Sequence, residues 1–182
     1  MKIVTKRLIL RDLRKSDAKD IQANVNNLNV SRFLAVVPFP YTLKNANSFV
    51  KHCIAESKKK PRVNYEFGIE LKNEKRIIGM ISITKIDKFN GVGTIGYWIG
   101  EKYWRNGYGG ESLKAMIDFF FRKLKLRRID IEAASENEAS NSLIRKMGFV
   151  YEGLRIKNTR SKSTGELHDI NAYGMLQENW QN

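Results

Sequence analysis

The hydrophobic positions of the chain change period several times, and each change marks an element. Leu8-Ile9-Leu10 reads as a short strand, and Ser16 with Asp17 as the cap of a helix running to about Asn26. After Thr42, the residues Ala46, Phe49, Val50, Cys53 and Ile54 recur at i, i+3, i+4, i+7 and i+8, the stripe of an amphipathic helix. Lys58-Lys59-Lys60-Pro61 closes that helix, with cations at the negative end of its dipole and a proline that cannot continue it. From Tyr65 the period becomes that of strands: Glu66 to Leu71, Ile77 to Thr84, a turn at Asn90-Gly91, then Thr94 to Ile99. Leu113, Met116, Ile117, Phe120, Phe121 and Leu124 give the cleanest helical stripe, opened by the glycine loop Gly107-Tyr108-Gly109-Gly110. Ile129, Ile131 and Ala133 alternate as a strand. A helix from about Ala139 to Met147 follows, with Gly148 at its C-terminal cap. Phe149 to Lys157 and Asp169 to Leu176 form a final hairpin. The order β-α-α-β-β-β-α-β-α-β-β predicts an α/β fold with a mixed sheet, in one domain over residues 1–182.

Composition narrows the function. With Cys53 as the only cysteine and His52 and His168 as the only histidines, neither a disulfide framework nor a metal site is expected, and a reducing cytoplasm suits the chain. The longest apolar stretch, Leu34 to Tyr41, is broken by Pro38 and Pro40 and is too short to span a bilayer. The opening MKIVTKRLILRDL lacks a secretory cleavage site and is expected to belong to the fold. The formal charge is +14, from 33 basic and 19 acidic residues, with 19 basic against 8 acidic in residues 1–91. Glycine runs the other way: eleven of 13 lie at or after Gly91. The first half therefore carries the positive field. The second half carries the loops where a ligand meets main-chain N–H groups.

The strongest candidate site is the stretch from Trp98 to Glu111, a strand, a glycine-rich turn and a helix start. Glycines allow close backbone approach to a pyrophosphate, and the free N–H groups of a first helical turn bind its charge, with Arg105 as a further phosphate contact. No G-x-x-x-x-G-K-[ST] or G-x-G-x-x-G is present, which argues against the common ATP and NAD cradles, and no G-x-S-x-G against a hydrolase elbow. A second constellation, Asn137 to Phe149, lies 27 residues after Gly110 and reads on its own as a helix capped by Asn137 or Ser135.

Together these stretches resemble the GNAT superfamily of acetyl-CoA-dependent acyltransferases, and within it the RimJ/RimL type of protein N-terminal acetyltransferase. The resemblance rests on Thr5-Lys6-Arg7-Leu8-Ile9-Leu10-Arg11 and Asp17-Ala18, on Ile95-Gly96-Tyr97-Trp98-Ile99-Gly100, on W-x-x-G-Y-G-x-E at Trp104 to Glu111, and on N-x-x-S-x-x-x-I-x-x-x-G-F at Asn137 to Phe149. It implies a mostly antiparallel, splayed sheet flanked by helices. Acetyl-CoA would sit in the opening after the Thr94–Ile99 strand, its pyrophosphate on Arg105, Asn106, Gly107, Tyr108, Gly109 and Gly110. By the same resemblance the backbone of Trp98 and Ile99 pairs with the pantetheine arm and supplies an oxyanion contact. Asn137 would contact the cofactor arm, and Ser140 would stand near its sulfur and give the departing thiolate a proton.

The general base is harder to place, because Thr94 stands where relatives often carry glutamate. Glu66, Glu70 and Tyr97 are candidates for a water relay, although each also reads as an ordinary strand residue, and His168 as a residue near the acceptor. Glu111 is expected only to favour its own helix dipole. The resemblance puts the acceptor pocket on the first two helices and the final hairpin. Because a +14 protein repels polycations, the expected acceptor is the α-amino group of a protein N-terminus, ribosomal proteins included, with nucleic acid only as part of a ribosomal setting. A small-molecule amine acetyltransferase and a non-catalytic acetyl-CoA and RNA-binding module remain the alternatives. Either a monomer or a homodimer paired through Trp104, Tyr108 and Trp180 is compatible with the sequence.

Overall fold

The computed structural model describes residues 1–180. One eight-stranded sheet runs through it in the order β1-β2-β3-β4-β5-β6-β8-β7. The strands are β1 (Lys2–Val4), β2 (Leu8–Arg11), β3 (Tyr65–Leu71), β4 (Arg76–Asp87), β5 (Val92–Ile99), β6 (Arg128–Ala134), β7 (Val150–Arg160) and β8 (Leu167–Leu176). Every pairing is antiparallel except β5 with β6. The helices are α1 (Ala18–Val25), α2 (Leu28–Ser31), α3 (Leu43–Ser57), α4 (Tyr108–Arg122) and α5 (Glu138–Lys146).

Alternation along the strands divides the core in two. Phe67 and Ile69 of β3, Ile81 and Ile83 of β4, Ile95 of β5 and Ile129 and Ile131 of β6 pack with Leu113, Met116, Ile117 and Phe120 of α4 and Ile144 of α5. On the opposite face Ile77 and Met80 pack with Ile21 and Val25 of α1 and Ala46, Val50 and Cys53 of α3, with Trp98 against them. The α4/α5 face and the α1–α3 face are thus separate layers. Among the described residues no helix is long and apolar enough to cross a membrane, and none of the His, Cys, Asp and Glu residues cluster as metal ligands.

The structure adds and moves some boundaries. β1 was not expected, since three residues are too few to show a period. Asp17 is the N-cap residue of α1 without a side-chain bond to that helix, and its carboxylate closes the capping box of the preceding 3-10 turn, Lys15–Asp17. The carboxylate accepts from Arg11 Nη1 and Nη2 at 2.8 and 3.0 Å and from the Arg14 N–H at 2.6 Å. Helix α4 begins at Tyr108, so two of the loop's glycines, Gly109 and Gly110, lie in its first turn. Cys53 is a core residue, and burial, followed by the neighbouring Glu66 carboxylate, pushes its thiol up, which keeps it inert.

The candidate active site

The feature that makes a site is a break in the sheet. β5 and β6 pair only over Val92 to Ile95 and Arg128 to Ile131. β5 nevertheless stays paired with β4 to Ile99, and β6 with β8 to Ala134. Beyond Ile95 the two parallel strands diverge and leave a wedge. Gly100 N–H donates to Ile78 O of β4 at 2.8 Å, so residues of the other parity, Ile99 and Tyr97, turn their backbone groups toward the wedge. Trp98 faces the other way: its carbonyl lies against Gly79, where an added Cβ would come within 2.3 Å of it. Of the two residues expected to offer backbone contacts, the geometry therefore favours Ile99. The Ile99 carbonyl is itself taken by the Trp104 indole at 2.7 Å.

At the mouth of the wedge the chain turns through Trp104 to Gly107 into α4. Arg105 and Gly107 have φ of +60° and +77°, the left-handed conformation that turns successive N–H groups to one side. Asn106 Nδ2 braces the turn on the Trp104 carbonyl at 2.9 Å. Glu111 N–H makes the first helical bond, to Gly107 O, so the N–H groups of Tyr108, Gly109 and Gly110 are the unpaired donors at the positive end of a 15-residue helix. The glycines here also serve packing. A Cβ on Gly109 would sit 3.2 Å from the Leu143 side chain of α5, so the bare glycine eases the packing of the α4 start against α5. Donors, dipole and bare backbone together fit a pyrophosphate.

On the other wall Asn137 Oδ1 accepts from Ser140 N at 3.2 Å and is the N-cap of α5, which settles the choice between Asn137 and Ser135. Ser140 Oγ lies 3.1 Å from Tyr97 Oη, so two hydroxyls, one from α5 and one from β5, meet across the wedge. Burial pushes the Tyr97 phenol up, against a smaller opposing effect of the Ser140 bond, which keeps it a proton-bearing donor at neutral pH.

Three further residues complete the site, and only one left a usable signal. Asn141 is fully buried; it donates to the carbonyls of Ala134 and Asn137 at 2.8 and 2.9 Å, and its Oδ1 accepts from Asn171 and Tyr173 at 3.0 and 2.7 Å. It pins the end of β6 to α5 and β8. A poor helix former inside a short helix is the trace it leaves in the sequence. Arg7 and Glu111 form the other device. Glu111 accepts from Thr5 Oγ1 at 2.6 Å and from Arg7 N and Nε at 2.7 Å each, while Arg7 Nη1 donates to Asn106 O at 2.8 Å and its guanidinium covers the Tyr108 ring at 4.6 Å. Burial pushes the Glu111 carboxyl up, but the Thr5 and Arg7 donors with the Arg7 charge outweigh it and hold it below the usual carboxylate range. Glu111 thus does more than favour its helix dipole: it ties the glycine loop to the start of β2.

Matching these features against known proteins gives a consistent result. An acetyltransferase (GNAT) domain model matches residues 7–150. The chain belongs to the GNAT acetyltransferase family. It is therefore an N-acetyltransferase that uses acetyl-CoA. Over 172 residues it is 31% identical to the uncharacterized N-acetyltransferase YoaA of Bacillus subtilis (strain 168), covering 94% of each chain. Over 80 residues it is 34% identical to the ribosomal-protein-serine acetyltransferase of Escherichia coli (strain K12), covering 44% of this chain and 45% of that one. A GNAT-family acetyltransferase of Bacillus anthracis superposes with a TM-score of 0.81 at 25% identity, over 98% and 99% of the two chains. The eight-stranded, mostly antiparallel sheet flanked by helices is the GNAT fold expected from the sequence.

The remaining expected residues are dispersed. Glu70 is committed to Arg11, at 2.5 Å, and is not free to act as a base. Glu66 lies on the α1–α3 face beside Cys53, with its Oε2 buried and without a hydrogen-bond partner among the described residues. His168 is buried on β8, its Nδ1 bonded to Glu136, its ring edge-on to Phe33 at 6.0 Å and its Nε2 unpartnered among the described residues. His52 is exposed on α3. Trp180 Nε1 is held by Asp118 at 2.9 Å and Tyr108 lies under Arg7, which leaves Trp104 as the exposed aromatic of the three.

Proposed function

We propose that this GNAT enzyme, acting as one cytoplasmic domain, acetylates the α-amino group of a protein N-terminus, with a ribosomal protein as a candidate substrate, by direct attack in a ternary complex. The observation that carries the choice of acceptor is the charge: at +14 the protein repels spermidine-like polycations and attracts acidic proteins or proteins assembled on RNA. The E. coli relative that acetylates a ribosomal protein supports the same reading.

In this mechanism acetyl-CoA supplies the activated thioester. Backbone N–H groups from Arg105 to Gly110 hold its pyrophosphate, and Asn137 faces the arm. The Ile99 N–H, directed into the wedge, stabilises negative charge developing on the carbonyl oxygen. The free amine attacks the carbonyl carbon, the C–S bond breaks, and the departing sulfur takes a proton from Ser140, which Tyr97 replenishes through their 3.1 Å contact. The ammonium proton passes to water, and water returns a proton to Tyr97, so both hydroxyls are restored. No carboxylate lies at the Thr94 position, so the amine is deprotonated without a base there.

Transfer of radiolabel from acetyl-CoA to peptides with free Ser, Ala, Thr and Met N-termini, to lysine peptides with blocked N-termini and to spermidine tests the proposal. Label on free N-termini alone is the expected result. Label on spermidine or on lysine overturns the argument from charge, and acetyl-CoA binding without any transfer converts the site to a binding module.

A further inference from the structure

The positive charge is not spread evenly. Residues 58–62, 85–91 and 122–127 hold ten of the 33 basic residues and one of the 19 acidic ones. The fold gathers these segments at the end of the sheet remote from the glycine loop. Arg127 N–H donates to Gly91 O at 2.8 Å and its Nε to Asn90 O at 2.7 Å, which fastens the α4–β6 connection to the β4–β5 hairpin. Arg62, ion-paired to Asp12 and covering the Tyr65 ring at 4.6 Å, brings in the segment before β3. The three meet around a concavity of about 430 Å³ whose lining includes Arg62, Lys88, Lys123 and Lys125. Helix α4, fifteen residues or about 22 Å long, separates this end from the glycine loop.

Lys88, Lys123 and Lys125 are all exposed, and none has an ion-pair partner among the described residues. Lys125 also takes a left-handed φ of 57°, so its side chain leaves from a tight turn. At the β4–β5 hairpin tip, next to Lys88 in the chain, Phe89 is 95% exposed. A ring so placed contributes nothing to the core, and it stands beside unpaired cations. Stacking rings and cations along a concave track are what a flexible phosphate backbone with splayed bases requires.

We propose that this end of the molecule is a docking surface for single-stranded or loop RNA, separate from the acetyl-transfer site. An anionic membrane would also attract lysines and a phenylalanine, but Lys88, Lys123 and Lys125 line a hollow, and Phe89 is a single apolar anchor rather than an amphipathic face. An acidic peptide would satisfy the cations and leave the ring unused. The inference does not depend on which amine is acetylated.

Binding of a labelled single-stranded RNA, followed by fluorescence anisotropy, tests it on the full chain. Three phosphates neutralised on a single strand predict an affinity that falls about 20-fold between about 50 and 200 mM salt. The variant Lys88→Glu, Lys123→Glu and Lys125→Glu loses that binding and most of the slope, and Phe89→Ala alone weakens binding about tenfold, within the range for one stacked base. Both keep the wild-type Tm and acetyl-CoA affinity. A control of equal charge change elsewhere, Lys15→Glu, Lys19→Glu and Lys44→Glu, keeps RNA binding. Equal loss in the control would reduce the surface to a net-charge effect and overturn the proposal. So would unchanged binding in the first variant, or tighter binding of poly-glutamate or phosphatidylserine vesicles than of RNA.

Discussion

The two faces of the sheet treat buried polar groups differently. On the α4/α5 face the fully buried Asn141 is held by several hydrogen bonds, and the equally buried Ser112 is bonded to Gly109 O at 2.9 Å. On the α1–α3 face Arg11 with Asp17, and Asn24, are also fully bonded, but Ser31 Oγ, Glu66 Oε2 and His168 Nε2 are buried without a hydrogen-bond partner among the described residues. Unmet donors and acceptors cost stability, so a fold keeps them where something other than folding uses them. The proposed cofactor side offers backbone N–H groups on a braced turn and has no need of spare side chains. The proposed acceptor side leaves these three polar atoms to a ligand.

The sharpest way to break this contrast is to remove the hub of the matched face. Asn141→Ala strands the buried Tyr173 hydroxyl and the Asn171 amide and takes one of two bonds from each of the Ala134 and Asn137 carbonyls. It is expected to cost about 3 kcal/mol in a denaturant melt. A loss below about 1 kcal/mol would mean that the wedge is not held by this residue. Next in size is chemistry. Ser140→Ala with Tyr97→Phe removes both hydroxyls and is expected to lower kcat about 100-fold with little change in KM for acetyl-CoA. Either single change is expected to cost less than half of that in free energy, because the remaining hydroxyl substitutes for its neighbour. Full turnover in the double variant would remove proton donation from the mechanism.

Much of the matched face was legible in the sequence, for a physical reason. A pyrophosphate cradle is made of backbone, and backbone availability is written as glycine at fixed spacing, here Gly107, Gly109 and Gly110 before a helical stripe. The Asn137 cap and the Gly148 stop were legible on the same ground, since capping is local. What could not be read were the contacts across long stretches of chain. Glu111 looked like a first-turn anion because its partners, Thr5 and Arg7, are 106 and 104 residues away. Tyr97 looked like a packing aromatic because its meeting with Ser140 depends on where β5 and β6 part. Glu70 looked free until the fold placed Arg11 beside it. The α1–α3 face was the least legible, since partnerless atoms follow no spacing.

The Arg7–Glu111 tie offers a finer test of the matched face. Arg7→Ala is expected to raise KM for acetyl-CoA about tenfold at nearly constant kcat, Arg7→Lys to restore part of it, and Glu111→Gln to add little on top of Arg7→Ala, since both act through one contact. Full additivity would show that the two residues work separately. The tie also has a pH signature. The Glu111 carboxyl titrates lower in the folded chain than in the unfolded one. Between those two values the unfolded chain binds more protons, so stability is complete above the ordinary carboxylate range and falls as pH drops through the depressed value. Glu111→Gln is expected to flatten that acid limb in melts taken at falling pH.

The smallest expected effect sharpens the comparison most, because its sign differs from the rest. Ser31 is fully buried on α2, and its hydroxyl has no hydrogen-bond partner among the described residues. Were the α1–α3 face built like the other, Ser31→Ala would destabilise by the value of a lost hydrogen bond. With no bond to lose, the substitution removes a desolvated hydroxyl and leaves a cavity of one oxygen atom, which is expected to change stability by less than about 1 kcal/mol, in the stabilising direction. If the hydroxyl is reserved for the acceptor, the same variant raises KM for the acceptor peptide and leaves KM for acetyl-CoA unchanged. A stabilised enzyme with an unchanged acceptor KM would show that Ser31 serves neither fold nor substrate, and the division of labour between the faces would then rest on Glu66 and His168 alone.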